Sequence, residues 1–204
     1  LWVGTSNGLE MLLPDSADFI HYSHNPGLQG NMTGSPVYAI MEDNALNLWL
    51  GTEFGLERFD RINKLLTHYQ NDPGNPFSIS GNDIETLYRD RSGNLWVGTF
   101  SDGLNRYNSS TGQFLRYQHD PSVPGTVSSN SILSLYQDRQ GTLWVGTDGG
   151  GLNRLDDATG AFAHYDEEDG LPNSVVYGIL EDGDGFLWLS TNQGIARFNP
   201  VSGK

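Results

Sequence analysis

Short apolar runs, each closed by Gly, Asn, Asp or Ser, recur along the whole chain, and few stretches look helical. One run, LWVGT at Leu95–Thr99, has near copies at Leu1–Thr5, Leu48–Thr52, Leu143–Thr147 and Leu187–Thr191. All five tryptophans lie in this slot, at positions 2, 49, 96, 144 and 188. The spacings of 47, 47, 48 and 44 residues fall in the range of propeller-type or solenoid repeats.

Three further segments repeat around it. VYAIMED (Val37–Asp43), IETLYRD (Ile84–Asp90), ILSLYQD (Ile132–Asp138) and VYGILED (Val176–Asp182) precede the Trp slot. GLERFD (Gly55–Asp60), GLNRYN (Gly103–Asn108), GLNRLD (Gly151–Asp156) and GIARFN (Gly194–Asn199) follow it. FIHY (Phe19–Tyr22), LTHY (Leu66–Tyr69), FLRY (Phe114–Tyr117) and FAHY (Phe162–Tyr165) end the unit. Turn sequences such as DRSGN and NSSTGQ join the segments, with Gly where a positive φ is easiest. Each unit therefore predicts a four-stranded antiparallel meander, A to D, with the Trp on strand B. Strand A is apolar on both faces and needs neighbours on both sides, as sheets stacked around an axis provide.

The predicted fold is all-β, a β-propeller fragment of about four and a half repeats in an open arc. Its parts are an incomplete blade at 1–22, full blades at 37–69, 84–117 and 132–165, and an incomplete blade at 176–199. The chain opens at Leu1 inside a motif rather than at Met, which points to a fragment of a longer protein. Unpaired edges and uncovered blade faces predict marginal stability or self-association.

Charge and composition remove several function classes. A net charge of −14 argues against nucleic acid and anionic membrane surfaces as partners. The absence of cysteine excludes disulfides, thiol nucleophiles and Cys-based zinc sites. No stretch approaches a membrane span.

A residue present in every blade serves what every blade shares, which is packing. The five Trp are expected as anchors between blades. Arg58, Arg106, Arg154 and Arg197 are expected to pair with Asp43, Asp90, Asp138 and Asp182 or with a carbonyl. Those aspartates are expected to cap the A–B turns. His21, His68 and His164 share one slot that Arg116 fills in the third unit, and His24 and His119 lie in D–A loops. One per blade places them too far apart to hold a metal, and no HExxH or calcium-loop pattern is present. No cofactor or catalytic constellation is expected, although the 25 acids leave a carboxylate pair conceivable.

All variation in repeat length falls in the B–C and D–A connections, which emerge at one end of the blades. That end is the expected binding face. Glu53, Phe54, Phe100, Asp102 and Asp148 sit in its B–C turns. Exposed rings beside carboxylates suit a sugar or small polar ligand. The alternative is that each Phe tucks under the adjacent D–A loop.

Taken together, the Asp, Gly, LW-GT, GL-R and F--Y pattern resembles the two-component regulator propeller repeat over essentially the whole chain. The resemblance implies part of a seven-bladed propeller in the periplasmic sensor region of a histidine kinase, or sometimes of a diguanylate cyclase. Departures are Glu10, Met11 and Leu12 around the strand C Arg slot of the first unit, and Ser190 in place of Gly in the last. The expected role is a non-catalytic, extracytoplasmic ligand-sensing segment. Its expected partners are a small polar or carbohydrate ligand and, for the parent, a second copy of itself. No direct membrane contact is expected of this segment. The rival expectations are a propeller lyase or hydrolase acting on polysaccharide, and a structural protein-docking propeller.

Overall fold

The computed structural model describes residues 1–14, 16–22, 32 and 36–204. Its regular structure is β throughout these residues, in five antiparallel sheets. The first has three strands: β1 (Trp2–Thr5), β2 (Gly8–Leu12) and β3 (Phe19–Tyr22). The next is β4 (Val37–Glu42), β5 (Leu48–Thr52), β6 (Gly55–Asp60) and β7 (Leu65–Tyr69). Then come β8 (Ile84–Arg89), β9 (Leu95–Thr99), β10 (Leu104–Asn108) and β11 (Gln113–Tyr117). The fourth holds β12 (Ile132–Gln137), β13 (Leu143–Thr147), β14 (Leu152–Asp156) and β15 (Ala161–Tyr165). The last is β16 (Val176–Glu181), β17 (Leu187–Thr191) and β18 (Gly194–Phe198). Strands pair in sequence order within every sheet, so each sheet is a meander and forms one blade of an open propeller arc.

Successive sheets meet along β4, β8, β12 and β16, which lie against one another as the innermost strands. Each carries a bulge at its second residue: Tyr38, Glu85, Leu133 and Tyr177 fall in the shifts of register against the next strand. A bulge resets the in–out alternation. That is why the A segments read as apolar on both faces.

The core consists of seams between blades. At the seam of blades three and four, Trp96, Leu104, Tyr88 and Tyr117 pack against Ile132, Leu135, Leu143, Val145, Leu155 and Phe162. The same slots recur at the neighbouring seams. Close approach is built in: a Cβ on Gly98 would stand 2.7 Å from Ile132 Cγ2. Trp49, Trp96 and Trp144 are 4 %, 2 % and 1 % exposed, as expected of anchors. Trp188, in the last blade, is 42 % exposed, because no described blade covers its outer side.

Candidate ligand-binding face

The repeated polar slots assemble the frame. Each of the four repeated aspartates accepts a hydrogen bond from the indole N–H of its own blade's Trp. The pairs are Trp49–Asp43 at 3.1 Å, Trp96–Asp90 at 2.9 Å, Trp144–Asp138 at 2.8 Å and Trp188–Asp182 at 2.9 Å. The other carboxylate oxygen caps the A–B turn, as Asp90 does for the Asn94 N–H at 2.8 Å. Bonds from the Trp188 indole, the Phe186 N–H, the Asp184 N–H and Arg197 pull the Asp182 carboxyl down to about 2.

The strand C arginines differ from expectation. Arg58, Arg106, Arg154 and Arg197 stand directly across from the Trp residues in the ladder. Arg58 and Arg106 lie over the Trp49 and Trp96 rings, at 5.9 and 5.5 Å from the centroids. Only Arg197 joins its Asp, at 3.3 Å from Asp182. In the full blades no such pair forms among the described residues, and the indole and turn N–H groups hold the carboxylate.

The D-strand slot also holds structure. Arg116 bonds to the Ser78 carbonyl at 2.8 Å, and His164 to the Thr126 carbonyl at 2.6 Å. His68 faces the fully buried Glu57 at 3.5 Å. His119 bonds the Val127 carbonyl at 2.8 Å, and His24 lies outside the described residues. Among the described residues, no cluster of His, Asp and Glu could hold a metal.

At the B–C end, one device closes every turn. The Thr of the Trp motif donates its hydroxyl to the Gly carbonyl that opens strand C, at 2.8 Å for Thr99–Gly103. Gly103 has φ +90, and a Cβ there would stand 2.5 Å from the Tyr117 carbonyl oxygen. Its N–H donates to the Asn130 carbonyl of the following D–A loop, and that of Gly151 to Ser174, at 2.8 and 2.7 Å. The B–C turns of blades three and four are therefore clasped to the D–A loops, and that of blade two is held by the Gln70 amide, which donates to the Phe54 carbonyl at 2.8 Å.

On that backbone Phe54 and Phe100 are 48 % and 51 % exposed, so neither is tucked under a loop. Glu53 is exposed beside Phe54. Asp102 is half-buried, its carboxylate over Gly81 and bonded by the Ser101 hydroxyl at 3.0 Å. Asp148 is exposed one blade further on, its N–H bonded to the Ser131 carbonyl at 3.0 Å.

Three residues that sequence reasoning passed over complete this corner. The bulges turn Tyr38 and Glu85 out of the ladder, and Asp83 precedes β8. Burial, then Glu53, Asp83 and Glu85, raises the Tyr38 hydroxyl pKa. Burial and Asp102 push the Asp83 carboxyl up, and burial and Asp83 do the same for Glu85. Glu53, Tyr38, Asp83, Glu85 and Asp102 thus share one electrostatic field across blades two and three. Asp148 is not linked to it. A usable signal existed in the sequence: the second residue of strand A differs between blades as Tyr, Glu, Leu and Tyr.

Comparison with known proteins accords with this architecture. The family described as two component regulator propeller matches residues 78–101, 126–149 and 170–193. Each match runs from a D–A loop through strands A and B into the B–C turn. No curated protein matches the chain. A similar solved structure is an extracellular domain assigned to a hybrid two component system of B. thetaiotaomicron. It is 24 % identical, with a TM-score of 0.84 over 100 % of this chain and 27 % of that one. A streptogramin B lyase is 16 % identical, with a TM-score of 0.68 over 98 % of this chain and 60 % of its own. Virginiamycin B lyase of Staphylococcus aureus is 20 % identical, with a TM-score of 0.60 over 82 % and 53 %. The chain thus spans about a quarter of the first structure, and at these identities the likeness concerns the fold alone. Three of its repeats thus match, in register, the family described as two component regulator propeller.

Proposed function

We propose that the chain is a non-catalytic segment of an extracytoplasmic sensor propeller in a two-component signalling protein, and that its B–C end binds a small polar or carbohydrate ligand. The carrying observation is the corner at blades two and three. Two half-exposed Phe rings stand on clasped turns beside Tyr38 and carboxyls whose pKa values are raised. Ring faces stack on the C–H faces of a sugar or on a cation, while carboxyls and a hydroxyl bind its polar groups. The residues involved are Glu53, Phe54, Phe100, Asp102, Tyr38, Asp83 and Glu85, with Asp148 extending the rim. The match of three repeats to the two component regulator propeller family supports the sensor role, and the extracellular neighbour supports the location. Lyases share the fold, which by itself does not carry their chemistry over.

Signal transmission needs a ligand that favours one of two states of the parent. The test is a thermal-shift screen with neutral and amino sugars. A hit should raise Tm, and Phe54→Ala and Phe100→Ala should each weaken binding about tenfold. A screen without any shift, or hits that both variants bind like the parent chain, would overturn the reading.

A further inference from the structure

The opposite, A–B end of the molecule carries a device that seals two seams and is missing from a third. At the seam of blades three and four, the Arg91 N–H donates to Gln137 Oε1 at 2.9 Å, and its guanidinium to the Arg139 carbonyl at 3.1 Å. At the next seam, the Arg139 N–H donates to Glu181 Oε2 at 3.0 Å, and its guanidinium to the Gly183 carbonyl at 3.1 Å. At the seam of blades two and three, the corresponding residues are Asn44 and Arg89. The Asn44 side chain is too short for that reach, and a guanidinium at the acceptor position can only donate.

A second closure fails at the same place. Arg106 crosses from blade three to Asp157 of blade four at 3.1 Å. One blade earlier, the slot of Asp157 holds Ser109, which offers Arg58 no charge.

The result is a crevice of about 780 Å³, lined by Asn44 and Trp49 on one side and Arg89, Arg106, Asn108 and Ser109 on the other. Asp43 is the one carboxylate in the lining, and it is committed to Asn47 at 2.9 Å and the Trp49 indole at 3.1 Å. The Arg89 guanidinium makes no hydrogen bond or ion pair with the described residues. Arg106 borders the crevice, but its guanidinium turns to the next seam, over the Trp96 ring and onto Asp157 at 3.1 Å. In a chain of net charge −14, this pocket holds a guanidinium without a carboxylate partner and no uncommitted anion.

From this geometry we infer a second binding site, for a small hydroxylated organic anion. Arg89 would hold its carboxylate or sulfate through charge-assisted hydrogen bonds. Asn44, Asn108 and Ser109 would bind its hydroxyls, and the volume suits a mono- or disaccharide-sized molecule. The site lies at the opposite end from the proposed sensing face and does not rest on that reading.

Calorimetric titration with D-glucuronate, glucose 6-sulfate and D-glucose tests it. At least one anionic probe should bind at millimolar concentration or below, and glucose should not. Which of the two anions binds tells carboxylate from sulfate. Arg89→Gln should weaken binding about tenfold or more. The pair Asn44→Arg with Arg89→Gln rebuilds the clasp of the other seams. It should abolish binding while Tm stays equal or rises, which separates occlusion from misfolding. Glucose binding as tightly as glucuronate, no binding of either anion, or unchanged binding in Arg89→Gln would overturn the inference.

Discussion

The seams on either side of blade three share one interior and differ at their ends. Trp49 and Trp96 are equally buried. Each packs against its own blade's Tyr, with centroids 5.5 Å apart for Tyr69 and 5.7 Å for Tyr117. Each lies beneath an Arg of strand C. At the A–B end, however, Arg91, Gln137 and Asp157 shut one seam, while Asn44, Arg89 and Ser109 leave the other open. At the B–C end, the open seam also carries Tyr38, Glu53, Asp83, Glu85 and Asp102. Repeated apolar slots make a seam; the few positions that break the repeat decide what its ends can bind.

The largest expected effect tests the shared part. Trp96→Ala should lower unfolding free energy by about 3–5 kcal/mol in urea titration, and Trp49→Ala by a similar amount. Trp188→Ala, at a slot 42 % exposed, should cost well under half of that. Equal costs at all three would break the link between a slot's value and the blade that covers it.

Smaller effects probe the ends. Installing Asn44→Arg with Arg89→Gln should stabilise the open seam by about 1 kcal/mol, the scale of a net hydrogen bond. A loss of stability would show that the clasp does not transfer. Conversely, Asp157→Ala should cost the closed seam under about 1 kcal/mol, since its ion pair is exposed.

The smallest effect depends on pH. The raised pKa of Glu85 means that the folded state holds its proton more tightly than the unfolded state. Its charge therefore opposes folding at neutral pH, and that penalty disappears as pH falls through the raised value. Glu85→Gln should raise the urea midpoint slightly at pH 7, and the gain should vanish below about pH 4, where the carboxyl is protonated in both states. A gain independent of pH would point to packing instead of charge.

Strand slots and the Trp anchors were legible in the sequence because each is repeated at nearly fixed spacing. The partner of the aspartates was not: Arg58 and Trp49 face each other across the ladder, and sequence alone does not say which reaches Asp43. The Arg91 and Arg139 clasps were missed because their acceptors lie a whole blade away in sequence. Tyr38 and Glu85 were missed because the bulge that turns them outward also blurs the alternation that would expose it. Phe54, Phe100, Glu53 and Asp102 were legible as residues of variable turns, whereas their shared field with Asp83 depends on how two blades meet.

The Trp slot also supplies the most direct test. Every blade carries one indole N–H, so a proton–nitrogen spectrum holds five reporters placed one per blade. In a titration with D-glucuronate or glucose 6-sulfate, whichever binds, the Trp49 indole resonance should move, while those of Trp96, Trp144 and Trp188 stay in place. Movement of Trp96 and Trp144 to the same extent, or a still Trp49, would contradict the claim that the open seam of blades two and three is where this chain departs from its own frame.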